Sequence, residues 1–373
     1  MSAPASLRVL VNASTVGTST GGTWAYLEEL LRSWTTAFPE DALELRAHPS
    51  FPDDLERELG PSVRVMRAGA NRAGLVLAQH ALTGRRARRF RADVVFNAAL
   101  SAPLLGSGGL PQVTMAHDIR HLERPDEFGV LARRYRGLVY DRALRRSAIL
   151  TCGGAKTANE ILARFPRPAD SVRVTPLGAD HVDRWPRGPK GTHGVAFAHW
   201  TNKRPETAIR AWADLNDDGE SFARELHIVG TPETDRERLE NLAHAVGVGH
   251  LVRVRDRLAD AEFRRLLGGA AVMLLPSTLE GFGIPVIESM RLGVPVVVSA
   301  GVGMEQAGGE AALYADPEQP AAFAAHCRKL WSDPAYEHEI VKAGLAHAAG
   351  YSWRATADAT RTALRDARKN LTH

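Results

Sequence analysis

Short apolar runs alternate with longer helix-patterned stretches along the whole chain, and this alternation limits the fold more than any other feature. In the first half the runs 7–11, 92–96, 113–116 and 149–152 read as strands, with helical patterns over 24–34, 131–145 and 157–165. In the second half 194–198, 225–230, 251–254, 271–275 and 295–299 read as strands, with helices over 205–215, 235–245 and 260–267 between them. A strand that reaches its neighbour through a helix joins the sheet in parallel, and a parallel sheet needs helices on both faces. The chain has 373 residues, enough for two such units. The stretch 180–194 is rich in Pro, Gly, Arg and His, has no periodicity, and reads as the linker between them. The expected domains are 1–182 and 183–352, followed by a helix-patterned tail, 353–373. Two open parallel sheets set face to face would present their strand carboxyl ends to a shared cleft, where ligands bind.

Composition removes several classes. A hydrophobic content of 44% with 24% charged residues is that of a soluble globular chain. No apolar run approaches the roughly 18 residues of a membrane span, and 1–7 has no basic region followed by an apolar core. Cys152 and Cys327 lie far apart in no ligand-like spacing and read as reduced thiols. The expected location is the cytoplasm. The net charge of +4 is thinly spread, and its densest cluster is 85–91, with Arg85, Arg86, Arg88, Arg89 and Arg91. A solvated helix end explains that cluster best, and a peripheral contact with anionic membrane is its functional alternative. Nucleic acid is not an expected partner, because few aromatic residues accompany the charge.

The segment 277–288, STLEGFGIPVIE, carries most of the chemistry. It follows an apolar run and leads into a helical pattern over 285–292, so it reads as strand, loop and helix start. A helix start offers unpaired backbone N–H groups and the positive end of the dipole, which suit a phosphate. Gly281 and Gly283 let a ligand approach the backbone, and Pro285 fits the first helical position. Glu280 and Glu288 flank this site. Carboxylates beside a phosphate make sense if they face sugar hydroxyls.

Three other places add weaker signals. The loop 12–23 holds small residues and the pair Gly21-Gly22 just before a helix, which leaves room for phosphate or sugar. It lacks the Gly-x-Gly-x-x-Gly spacing of a dinucleotide fold, and a merely flexible loop is an equal alternative. Lys203 follows the first strand of the second half and is one of only six lysines. It can neutralise a diphosphate as a point charge, or simply cap a surface turn. His117 and Asp118 end the run 113–116, and a strand-end histidine can hydrogen-bond a sugar hydroxyl or act as a base.

With these residues in view, the chain resembles a retaining glycosyltransferase of family 4. The likeness spans nearly the whole length and is strongest at 276–288 and 293–297. It continues more weakly at Gly21-Gly22, His117-Asp118, 175–180, Lys203 and 351–353. It implies an α/β fold of GT-B type: two Rossmann-like, doubly wound parallel-sheet domains facing a central cleft. The first would bind the acceptor, the second the nucleotide sugar, and the closing helix would cross back to the first. Glu280 would bind donor-sugar hydroxyls, and the backbone N–H groups of Phe282, Gly283 and Ile284 would meet sugar and phosphates. Glu288 would hold the ribose, Lys203 would neutralise the diphosphate, Gly21 and Gly22 would let the first domain close on the leaving group, and His117 would sit near the anomeric carbon. The family's Gly-Arg pair before the lysine is missing, since 196–203 reads AFAHWTNK. Lys203 alone, or with His199 or Arg204, would then carry the phosphate charge.

The resemblance implies transfer of a sugar from a nucleotide diphosphate donor to an acceptor hydroxyl with retained configuration. No further carboxylate is placed for covalent attack, so front-face displacement is expected. No cofactor is expected, and no metal, since no Asp-x-Asp pair stands at a strand end. The base would meet backbone near Val254 and Arg255, and the acceptor would meet 15–22 and 70–91. A non-hydrolysing sugar-nucleotide epimerase and a catalytically silent relative remain alternatives. Base, sugar, acceptor and oligomeric state stay open.

Overall fold

The computed structural model describes residues 6–69, 71–186, 190–217 and 224–369. Residues 187–189 of the expected linker, Ala70 of the expected acceptor segment and 370–373 of the tail lie outside the described residues. The chain divides into two compact units, Met1–Gly178 with Trp353–His373, and Ala179–Ser352.

The first unit holds a seven-stranded sheet made of β1 (Arg8–Ala13), β2 (Ala42–Ala47), β3 (Val63–Arg67), β4 (Val94–Asn97), β5 (Gln112–Ala116), β6 (Ile149–Cys152) and β7 (Val172–Val174). The order is β3-β2-β1-β4-β5-β6-β7, and every pairing is parallel. The second unit holds β8 (Gly194–Phe197), β9 (Leu226–Val229), β10 (Val252–Arg255), β11 (Val272–Leu275), β12 (Val296–Ser299) and β13 (Leu313–Ala315). Their order is β10-β9-β8-β11-β12-β13, again all parallel. Both sheets are doubly wound: the chain runs outward one way from the first strand, then returns and runs outward the other way. The central strands are buried along their whole length, as in β11 and β12, which explains their unbroken apolar sequences VMLL and VVVS.

Helix Gly22–Ala37 follows β1, and the expected start at 24 moves two residues earlier. The stretch 180–194 is not all loop, because Asp180–Arg184 forms a helical turn belonging to the second unit. Arg291 clamps Asp183 with two bonds, Nε to Oδ1 at 3.0 Å and Nη2 to Oδ2 at 2.6 Å, and fastens this turn to the helix Ile284–Arg291.

Helix Trp353–Lys369 belongs to the first unit. Its buried Arg361 donates to both carboxylate oxygens of buried Asp41, at 2.7 and 2.8 Å, and to Glu40 at 2.9 Å. Asp41 also accepts from the Leu7 amide and the Trp34 indole, so its charge is fully solvated by protein. Inside the same sheet, Asn12 donates to Asn97 at 3.0 Å, Asn97 donates to Thr114 at 2.9 Å, and Thr114 lies 2.7 Å from the Ser147 hydroxyl. Asn12, Asn97 and Thr114 are register partners on β1, β4 and β5. This ladder crosses the point where the strand order reverses.

Candidate active site

In a doubly wound sheet the reversal of strand order opens a crevice at the strand carboxyl ends. In the second unit the reversal lies between β8 and β11. The loops leaving these two strands carry Lys203 and Glu280. Lys203 stands on a short helical turn, Thr201–Lys203, rather than directly after the strand. Its ammonium donates to Glu280 Oε1 at 2.6 Å; Lys203 is buried and the Glu280 side chain is 13% exposed. Asn202 ties the loops together: its side-chain amide donates to the Leu279 carbonyl at 2.7 Å and reaches Glu280 Oε1 at 3.5 Å, and its backbone carbonyl accepts from the Thr278 backbone N–H at 2.9 Å. The Glu280 backbone N–H donates to Val302. Glu280 is therefore fixed from the main chain and from its carboxylate.

The loop then turns into helix Ile284–Arg291 through Gly283, which has φ +90° and serves as the cap residue. A Cβ on Gly283 would stand 3.1 Å from Met304 Cγ and 3.2 Å from Val286 Cγ2, so the position needs glycine for both its angle and its space. The helix starts one residue earlier than expected, which puts Pro285 at the second helical position. No side chain caps this end, so the amides of Gly283 and Ile284 are the donors that a helix start presents to an anion. Phe282 is buried, its ring centroid 6.0 Å from that of Tyr351. Gly281 sits between Glu280 and Phe282 on the same loop.

Glu288 lies inside this helix and is 6% exposed. Its Oε1 is 2.8 Å from His181 Nε2, and the His181 ring meets the Trp185 ring edge-on at 5.5 Å. A carboxylate oxygen only accepts, so His181 is the donor and Nε2 carries the proton. Neither His181 nor Asn202 is singled out by the sequence reading, although His181 directly follows the matched stretch 175–180 and Asn202 adjoins Lys203.

Two side chains offered as helpers for Lys203 have other work. Arg204 is bound to Glu318 at 2.7 Å and adopts a left-handed backbone, φ +47°. His199 packs edge-on against Phe197 at 6.1 Å, and its Cβ closes on Gly230. A cavity of about 350 Å³ runs along β10, lined by Glu225, His227, Glu240 and Arg253 among others. It shares no residue with the Lys203–Glu280–Glu288 group, and its Arg253–Glu225 ion pair at 2.8 Å neutralises charge locally. We place the site at the strand-order reversal on the chemistry of its groups.

In the first unit the reversal lies between β1 and β4. Gly21, with φ +59° and open space where a Cβ would stand, precedes Gly22 at the start of the helix after β1. His117 follows β5 beneath this helix. Its Nε2 is 3.0 Å from the Ala98 carbonyl just past β4, and the Tyr26 ring meets its ring edge-on at 4.9 Å. A carbonyl only accepts, so Nε2 carries the proton and Nδ1 is left as an acceptor. Burial pushes the His117 pKa below its ordinary value, against the weaker opposing pull of the Ala98 carbonyl and Asp118. At neutral pH the ring is an uncharged acceptor.

Two doubly wound parallel sheets, with donor-type side chains at a strand-order reversal, define a two-domain α/β protein of GT-B type. Comparison with known proteins agrees: residues 198–347 match the model described as glycosyl transferases group 1, and residues 20–182 match glycosyltransferase family 4. The chain belongs to this glycosyltransferase family. It is 28% identical to an MMP alpha-(1->4)-mannosyltransferase from Mycolicibacterium hassiacum, over 90% of this chain and 77% of that one. It is 30% identical to a D-inositol 3-phosphate glycosyltransferase from Thermobifida fusca over 44% of this chain, and the match spans only 40% of that relative's length. HepE from Anabaena, crystallised with UDP and glucose, shares the fold with a TM-score of 0.74 at 18% identity, covering 96% of this chain and 100% of that one.

Proposed function

We propose that the protein transfers a hexose from a nucleoside diphosphate sugar to an acceptor hydroxyl, with retention of configuration. The observation that supports this most is the meeting of Lys203, Asn202 and Glu280 beside the uncapped start of the helix that carries Glu288. In this reading the second unit holds the donor. Glu288, oriented by His181, accepts hydrogen bonds from the ribose hydroxyls, and Glu280 accepts them from the sugar. The diphosphate rests on the amides of Gly283 and Ile284 and draws the Lys203 ammonium. Lys203 and Glu280 neutralise one another while no donor is bound. Donor binding then lets each charge serve a different part of one ligand.

The leaving diphosphate takes the proton of the acceptor hydroxyl as the new glycosidic bond forms on the same face of the sugar. Lys203 and the helix start stabilise the charge that develops on the departing oxygen. One such oriented donor is worth about 3 to 4 kcal/mol when removed. His117, uncharged and with Nδ1 as acceptor, receives a hydrogen bond from a sugar hydroxyl, and Gly21 and Gly22 leave room for the phosphates. The first unit carries the acceptor. The HepE complex favours a uridine donor, and the mannosyltransferase relative favours a hexose. Transfer needs no divalent metal, and turnover should persist in excess chelator.

A thermal-shift screen against nucleoside diphosphates and their sugars tests the reading. A ligand that binds only the folded state raises the melting temperature by mass action, so one nucleotide series should stand out. Release of epimerised donor without any acceptor would point to the epimerase instead. If no nucleotide or nucleotide sugar shifts the melt, the reading is wrong.

A further inference from the structure

Seven of the ten large apolar side chains that stand exposed among the described residues lie in one region of the first unit. Leu131 is 83% exposed, Leu105 77%, Val130 64% and Leu138 61%, with Leu77, Val76 and Tyr135 at 52%, 49% and 40%. They come from three segments that the structure ties together. The Tyr135 hydroxyl is 2.9 Å from His80 Nε2, which joins helix Val130–Arg146 to helix Arg72–His80. The Leu105 amide donates to the His80 carbonyl at 3.0 Å, which sets Leu105 at the same junction.

The charge on the helix that supplies four of these side chains is nearly all of one sign, and the exposed Asp126 before it pairs with Arg133 at 3.8 Å. Helix Val130–Arg146 contains six arginines and a single acid, Asp141, which is held by His121 at 3.1 Å. Leu131, Arg134, Tyr135, Leu138 and Arg145 follow one another at spacings of three, one, three and seven, so they share one side of the helix. The opposite side is buried through Val139, Ala143 and Leu144. The exposed side therefore interleaves bare leucines with arginines, whose long stems can lie on an apolar layer while their heads stay with anions.

We infer that this face docks on an anionic lipid bilayer. Its leucines would enter the outer edge of the acyl layer, and its arginines would meet lipid phosphates. A second copy of the chain is a poor occupant, because a self-complementary interface would set one arginine-rich helix against another. Nucleic acid is also a poor occupant, because the exposed side chains are mainly aliphatic and stacking needs aromatic rings. The cluster 85–91 does not serve as well. Helix Thr83–Phe90 exposes arginines with no exposed apolar partner, and its Phe90 is covered by Arg8 at 4.5 Å. The docking face rests on exposure and charge alone, and it stands whether or not sugar transfer is the activity.

Flotation with vesicles tests the inference, using phosphatidylcholine alone and phosphatidylcholine with about one-third phosphatidylglycerol. The full chain should float with the anionic vesicles and not with the neutral ones. Leu131→Ser with Leu138→Ser should weaken partitioning at least about tenfold, because each leucine loses most of its gain from burial. Arg134→Glu with Arg145→Glu should abolish it, while Arg85→Glu with Arg88→Glu should change it little. Circular dichroism and the melting temperature check that each variant is folded, and all six positions are exposed. Failure to float with anionic vesicles would overturn the inference. So would binding that survives the leucine changes, binding lost only with Arg85 and Arg88, or a dimer in solution that the leucine changes dissolve.

Discussion

The Lys203–Glu280 pair permits a quantitative test. The two charges sit 2.6 Å apart with side-chain exposures of 6% and 13%, so neither reaches much water. Removing one partner of a buried pair strands the other and costs about 3 to 5 kcal/mol, whereas removing both can be nearly neutral. Lys203→Met and Glu280→Gln should therefore each destabilise the second unit by roughly 3 kcal/mol. For a domain of this size that is a fall of about 6 to 12 °C in melting temperature. The double variant should recover most of the loss, leaving a coupling energy of at least about 2 kcal/mol. Calorimetric melting of the four proteins closes the cycle. A nucleoside diphosphate should restore Glu280→Gln more than Lys203→Met, because it brings the anion that the stranded lysine lacks. Additive single effects, or effects below about 1 kcal/mol, would show that the pair is exposed and loosely held, and the charge-exchange mechanism would fall with it.

Four further outcomes are expected. Glu288→Ala should weaken nucleoside diphosphate affinity by roughly tenfold to a hundredfold through loss of charged hydrogen bonds, and His181→Gln should do so less; isothermal titration reads both, and unchanged affinity in Glu288→Ala would remove the ribose assignment. Gly283→Ala must hold φ +90° with a Cβ close to Met304 and Val286, and should cost about 1 to 2 kcal/mol, seen as a lower melting temperature. Arg361→Met leaves buried Asp41 without its cation and should destabilise the first unit by about 3 to 5 kcal/mol in a denaturant melt; a change under about 1 kcal/mol would show that the amide and indole donors to Asp41 suffice. Burial lowers the pKa values of His48, His80, His117, His121 and His227 below their ordinary 6.5. The unfolded chain then takes up protons first as the pH falls. Stability should be full above about pH 6.5 and decline below it, and a melting temperature flat between neutral pH and mild acid would contradict these shifts.

The sequence exposes the parts of the fold whose chemistry is one-sided. Strands β11 and β12 are buried along their length, so VMLL and VVVS are legible at sight. Strand β2 is not, because ALELRA carries Glu44 and Arg46, which lie inside at 3% and 4% exposure and look like surface residues. Strand β3 lies at the sheet edge and alternates with arginine, and β13 has only three residues. The site shows the same division. Glu280, Gly283 and Glu288 share one twelve-residue stretch, so their grouping is local. The partners that orient them come from afar: Asn202 and Lys203 are 78 and 77 residues from Glu280, and His181 is 107 from Glu288. Only strand order brings these together, and nothing in the local sequence carries it. The exposed leucines of Val130–Arg146 are hidden for the opposite reason, since a helical pattern shows that an apolar side exists and not which side the fold covers.

In the proposed site, the β8–β11 reversal grips a nucleotide sugar through Glu280, Glu288 and Lys203. Isothermal titration of UDP-glucose and GDP-mannose into the wild-type protein and Glu288→Ala measures it most directly. One donor should bind the wild type with a single site and a dissociation constant in the micromolar range, about −8 kcal/mol, and lose most of that affinity in the variant. Equal binding of that donor to both proteins would contradict the account.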